Sequence, residues 1–151
     1  MLQVKIDVST LDSPNLTGIG NYIKNLIQRL QKLPDITMTG SYRLSRVRKR
    51  KLIQAHVPEL PLKPYFPGVS DYLPGYDIFH GPDFRIPPIQ SCKRIVTILD
   101  MSHLYPEFFP GALREKAIKK MDKTIREHKP DAILAISDFT RDEIIATYPE
   151  V

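Results

Sequence analysis

The chain has 151 residues, of which 42% are hydrophobic and 26% charged, proportions that exclude an intrinsically disordered protein and fit one globular domain. Its single cysteine, Cys92, excludes an intrachain disulfide framework and points to a reducing compartment. The net charge of +5 favours anionic partners, and no apolar run approaches ~18 residues, so no segment reads as membrane-spanning.

The first residues lack a basic region running into an apolar stretch, which argues against a secretory signal and for a cytoplasmic protein. Residues 4–8 (Val-Lys-Ile-Asp-Val) read as a short strand. After a polar loop, apolar residues fall at Ile19, Tyr22, Ile23, Leu26, Ile27, Leu30 and Leu33. That spacing predicts an amphipathic helix with one face on a sheet, stopped by Pro34. Ile36–Thr39 suggests a second strand, and Leu52–Leu60 is expected to hold another. Prolines crowd residues 58–88, which read as loop-rich except for a short buried strand at Tyr76–Phe79.

Residues 94–99 (Arg-Ile-Val-Thr-Ile-Leu) give the clearest strand. A helix is expected over about 111–128, with Leu113, Ala117, Met121 and Ile125 on one face. Its charges suggest solvated i,i+4 pairs, Glu115 with Lys119 and Asp122 with Arg126. Ala132–Ile136 reads as a buried apolar strand, followed by a helix over about 139–147. Apolar strands alternating with helices predict a Rossmann-like α/β domain: a parallel sheet with helices on both faces.

Ligands of such sheets sit outside the carboxyl ends of the strands, where four segments fall. Gly18-Ile19-Gly20-Asn21-Tyr22 opens the first helix, so its backbone N–H groups could approach phosphate or sugar oxygens; a pair of turn and capping glycines reads the same way. His80, before Gly81-Pro82-Asp83, could hydrogen-bond a substrate or exchange a proton, or could be satisfied by its own loop. Asp100 could accept two sugar hydroxyls or cap the loop that follows it. Ser137, with Asp138 and Thr140, suits either a ligand or a helix N-cap. The four histidines and Cys92 show no metal-ligand spacing, and His56 and His128 read as surface residues. A second basic concentration, Arg43 to Lys51, reads as a solvated face or as a site of attraction to phosphates.

In this order, Gly18–Tyr22, Asp77–Pro82, Val96–Ser102 with Pro106-Glu-Phe-Phe, and Ala135–Arg141 resemble the N-terminal domain of family 4 glycosyltransferases, enzymes of the GT-B architecture. The resemblance implies one half of a GT-B fold, the half that holds the acceptor. It implies retaining transfer of a sugar from a UDP- or GDP-linked nucleotide-sugar co-substrate, with no cofactor and no metal. Gly18, Ile19, Gly20 and Asn21 would lie near the donor phosphates and sugar. Asp100, His80 and His103 would act catalytically, with Tyr22, Ser137 and Thr140 on the acceptor side. Many relatives carry histidine where this chain has Leu99, so that role is lost or moves to His103. The second domain is expected on a separate chain or on a missing portion of this one, docking on an apolar patch to which Pro64–Gly68 would contribute.

The partners so implied are a donor-binding C-terminal domain or subunit and a sugar or glycolipid acceptor, with peripheral contact to an anionic membrane as an option. A non-catalytic assembly partner on the same fold is the alternative reading, with Leu99 as its support. A binder of anionic lipid or nucleic acid through Arg43–Lys51 is a third. Only Tyr42 there offers base stacking, which argues against nucleic acid.

Overall fold

The computed structural model describes residues 1–66 and 75–151. In chain order the elements are β1 (Leu2–Asp7), α1 (Gly18–Leu30), β2 (Ile36–Arg43), a 3₁₀ turn (Leu44–Lys49), α2 (Arg50–His56), β3 (Leu62–Tyr65), β4 (Ile78–Gly81), β5 (Lys93–Ile98), α3 (Gly111–Asp122), β6 (Ala132–Ala135) and α4 (Asp138–Thr147). All six strands are parallel, in the order β3-β2-β1-β4-β5-β6. This is the doubly wound Rossmann-like order, whose direction reverses between β1 and β4.

Parallel neighbours in register point to the same side of a sheet, so the pairings sort the two faces. Val4 pairs with Met38, and Ile6 lies beside His80. On this face Val4, Ile6 and Met38 form one buried cluster with Ile23 and Ile27 of α1 and Ile53 of α2. Ile23 and Ile27 stand four apart and are fully buried, each contributing about 1.5–3 kcal/mol of burial. The other face carries Phe79, Val96 and Ile98. There Ile98 meets Met121 of α3 and Ile144 of α4.

The stretch expected to carry a strand at Leu52–Leu60 instead forms α2, because Ile53 and Val57, four apart, both enter the α1 cluster. β2 runs on to Arg43, beyond the expected Thr39, and β4 starts at Ile78 rather than Tyr76. β6 is an edge strand, not a buried one: Leu134 and Ile136 stand on one exposed side. Leu113 likewise leaves the apolar face expected of α3 and is exposed, while Met121 and Ile125 are buried. Asp122 pairs with Arg126 at 3.3 Å, but Glu115–Lys119 is not among the ion pairs of the described residues.

α3 passes into a π-helical turn over Lys123–Glu127. From it Thr124 Oγ1 donates to the Phe84 carbonyl at 2.8 Å, and His128 Nδ1 meets the Ile86 carbonyl at 2.8 Å. Both bonds tie α3 to the loop leaving β4. The loop is tightly wound: a Cβ added at Gly81 would lie 1.8 Å from the Arg85 carbonyl oxygen. Phe84 holds a left-handed backbone at φ 55° and donates its N–H to the Thr97 carbonyl at 2.9 Å. Gly81→Ala cannot be relieved by a side-chain shift, because the obstacle is backbone. The variant is expected to lose more than about 3 kcal/mol, read as a lowered urea midpoint.

Candidate functional site

The carboxyl ends of the strands open onto two neighbouring cavities. The larger, about 630 Å³, is lined by Thr17 and Ile19 at the start of α1, by Leu99, Asp100, Ser102 and His103 after β5, and by residues of α3 including Lys116 and Lys120. The smaller, about 350 Å³, lies over the far ends of β1, β2 and β3 and beneath the π-turn. Lys120 lines both.

At the larger cavity, Thr17 caps α1 with extended backbone and no side-chain bond, so the positive helix end, where Thr17 and Ile19 line the cavity, has no side-chain cap. The two glycines divide the work. A Cβ at Gly18 would meet nothing within 4 Å, so the surface there is open to a ligand. A Cβ at Gly20 would lie 3.0 Å from Leu16, so Gly20 serves close packing of the loop on the helix. Asn21 is exposed, its N–H bonded to the Thr17 carbonyl at 3.0 Å.

Opposite stands Asp100, exposed, whose Oδ1 accepts from the Ser102 N–H at 3.0 Å and from the Ser102 hydroxyl. These local bonds fix the carboxylate at the strand end. His103 follows in a short 3₁₀ turn (Ser102–Leu104) and is buried, with no hydrogen-bond partner for its Nε2 among the described residues. Burial pushes its imidazole below the ordinary value, partly opposed by the Asp100 charge. The ring is thus a neutral group at neutral pH, able to give or take one hydrogen bond within the cavity.

His80 does not reach that cavity. It lies buried in the middle of the sheet, where its Nε2 meets the Thr97 hydroxyl at 2.8 Å. Tyr22, expected on the acceptor side, places its hydroxyl 3.1 Å from the same Thr97 oxygen. The three groups form a hydrogen-bonded chain from α1 through β5 to β4, under the site and holding its walls together. Ser137 and Thr140 also stand apart. Ser137 caps α4, its Oγ accepting the Thr140 N–H at 3.1 Å, and neither residue lines either cavity.

His56 and His128, read as surface residues, are half-buried and tethered, His56 Nε2 to the Ser13 carbonyl at 2.8 Å and His128 as described. The basic run is split by the fold. Arg43 turns into the smaller cavity, Arg46 pairs with Asp12 at 2.8 Å, and Arg48 to Lys51 are exposed. Pro67 and Gly68 of the expected apolar patch lie outside the described residues.

Asp83 is the residue that sequence reasoning passed over. It is 2% exposed, both carboxyl oxygens lack a hydrogen bond among the described residues, and Arg85 Nη2 lies 3.3 Å from one of them. At that separation the pair is ionic in distance, but its geometry falls short of a hydrogen bond. Burial, helped by the Asp7 charge, pushes the carboxyl up to about 7 against the pull of Arg85, Arg43 and Lys120. The sequence signal was only an acid directly after the His-Gly-Pro turn.

No protein-family model, curated protein or solved structure matches the chain. Among the described residues, no helix is long and apolar enough to cross a membrane, and no group of three His, Cys, Asp or Glu side chains is placed to hold a metal ion.

Asp83 and His80 give opposed pH dependences. Burial lowers His80 from 6.5 to about 4, while Asp83 rises from 3.8 to about 7. Between pH 4 and 6.5, folding therefore takes up a proton at Asp83 and releases one at His80, and the two linkage slopes cancel. Asp83→Asn abolishes the uptake, so relative to the parent its stability rises with pH across that window. His80→Gln abolishes the release, so its stability falls with pH up to about 7. Each slope approaches about 1.4 kcal/mol per pH unit, measurable by urea unfolding at stepped pH. Identical profiles for parent and both variants would overturn the assignment.

Proposed function

We propose that this chain is the acceptor-binding half of a retaining glycosyltransferase of the GT-B architecture, working with a donor-binding domain that carries a UDP- or GDP-sugar. One observation carries the reading: the start of α1 at Thr17 and Ile19, the Asp100 carboxylate and the His103 ring share a single cleft at the carboxyl edge of a doubly wound sheet. That combination supplies what sugar transfer needs. The helix end favours phosphate oxygens, and the carboxylate favours hydroxyls. His103 is the neutral ring that takes the place left by Leu99, which lines the same cleft without any hydrogen-bonding atom.

His80 and Tyr22 act in this reading as positioning residues, through Thr97, rather than on the substrate. Exposed apolar side chains near the same edge, Phe108, Leu113 and Phe139 among them, fit a surface that a second domain covers.

The test begins with recovery of the tagged chain from its source cells under gentle conditions. The expected product is a complex or longer polypeptide that transfers sugar from UDP- or GDP-linked donors. In that material Asp100→Asn and His103→Gln are expected to lower kcat by about 10²–10³-fold with the fold intact by circular dichroism. Transfer unchanged in both variants would move the assignment to the non-catalytic partner, and recovery of the chain alone, inactive with every donor, would end the enzymatic reading.

A further inference from the structure

The smaller cavity is built differently from the cleft beside it. Its floor is laid by register across three strands: Asp7 of β1 beside Ser41 of β2, then Arg43 of β2 beside Tyr65 of β3. Arg85 enters from the loop after β4, and Lys120 and Lys123 from the end of α3 and its π-turn. Four basic side chains thus converge on it from three elements, against Asp7 and the neighbouring Asp83.

The charges are close enough to act on one another. Burial and the Arg85, Lys116 and Arg43 charges all push the Lys120 ammonium below its ordinary value. Asp7 is itself engaged, its Oδ1 accepting the Ser9 N–H at 2.7 Å.

Three donors at this cavity have no hydrogen-bond partner among the described residues: the Ser41 hydroxyl, Arg43 Nε and Arg85 Nε. Ser41 is 1% exposed, so water outside the cavity does not reach it. Buried donors left unpaired are costly, and each costs least when an acceptor sits in the cavity. Guanidinium groups, ammoniums and a hydroxyl lining one cavity are the donor set of a phosphate oxygen cluster. Beside them, Phe79, Ile86 and Pro87 form an apolar wall that suits the carbon face of a ring. A volume of about 350 Å³ admits one ring and its phosphate and is small for a whole nucleotide-sugar.

We propose that this cavity is a phosphate subsite, which binds a monophosphorylated sugar or polyol with its phosphate on Ser41, Arg43, Arg85 and Lys123. That the cavity takes a phosphate is a statement about this chain alone. That its occupant is the acceptor, presented to the adjoining cleft across the shared Lys120, rests on the glycosyl-transfer reading.

The test is calorimetric titration of the full chain with glucose 6-phosphate, inorganic phosphate and glucose. Vesicles of phosphatidylcholine with and without phosphatidylinositol phosphate form a second arm. Glucose 6-phosphate is expected to bind, inorganic phosphate to compete with it more weakly, and glucose to give no heat. Arg43→Gln and Lys123→Gln should each weaken binding about tenfold or more, and exposed Arg48→Gln should leave it unchanged. Binding only to the phosphoinositide vesicles, and lost in Arg43→Gln, would assign the same phosphate subsite to a lipid headgroup.

No binding in either arm would overturn the proposal. So would binding weakened as much by Arg48→Gln as by Arg43→Gln, which is general attraction to a basic surface. The two readings fail separately. Phosphate binding with no sugar transfer by the assembled protein removes the acceptor role and keeps the subsite; transfer without phosphate binding removes the subsite and keeps the glycosyl-transfer reading.

Discussion

The contact of Gly81 with the carbonyl of Arg85 decides the shape of everything at the carboxyl edge. It closes the chain into a turn as soon as β4 ends, and that turn faces Asp83 inward, sets Phe84 in a left-handed backbone and delivers Arg85 to the smaller cavity. Phe84 is the partition: its side chain lines the larger cavity while its neighbour Arg85 lines the smaller. A bulky residue rarely holds positive φ, and here the Thr97 carbonyl on one side and Thr124 on the other over-determine it. The strain is therefore stored at the boundary between two cavities.

Sheet topology explains why the boundary falls there. Crossovers on the β1–β2–β3 side place α1 and α2 on one face, and the crossover between β5 and β6 places α3 on the other. At β1 and β4 the two directions part, and among the described residues no helix closes the gap between their ends. The start of α1 borders the gap from one face and the end of α3 from the other. Two cavities of different character result. One pairs a helix end with an acid and a neutral imidazole; the other gathers basic groups over an apolar wall.

Much of this was legible in the sequence. Periodicity marked α1, β5, α3 and α4 because each carries its own pattern, and alternation of strand with helix was enough for the parallel sheet. Asp100 and His103, with the start of α1 beside Gly18, were legible as one group because they follow β5 or open a helix, positions that topology alone brings to one edge. α2 was misread because its short apolar run, Leu52 to Val57, has no length to betray its period; only packing on the α1 cluster decides it. The exposure of β6 was hidden because an apolar strand at an edge has the same composition as one in the middle. His80 occupied the expected strand end yet points into the sheet, since a one-residue difference in register turns a side chain from one face to the other. The smaller cavity was beyond reach, because Ser41, Arg43, Arg85 and Lys123 come from separated segments that only the finished sheet assembles.

His80 and Asp83 stand three residues apart and are burdened in opposite ways by the same burial. One is held neutral by losing a proton and the other keeps its proton up to about pH 7, so below that pH the turn between them carries little charge of its own. The charge that remains at this edge is the basic set with Asp7 around the smaller cavity, and Asp100 with Lys116 and the shared Lys120 in the larger. A small anion approaching the edge meets the denser basic set at the first, while the Asp100 carboxylate gives hydroxyl groups an acceptor in the second. Such a division orients a molecule that bears both groups: phosphate toward Arg43, hydroxyls toward Asp100, with Lys120 common to both walls. Specificity for a phosphorylated polyol then follows from the separation of two fields by one strained residue, without either cavity having to enclose the whole ligand.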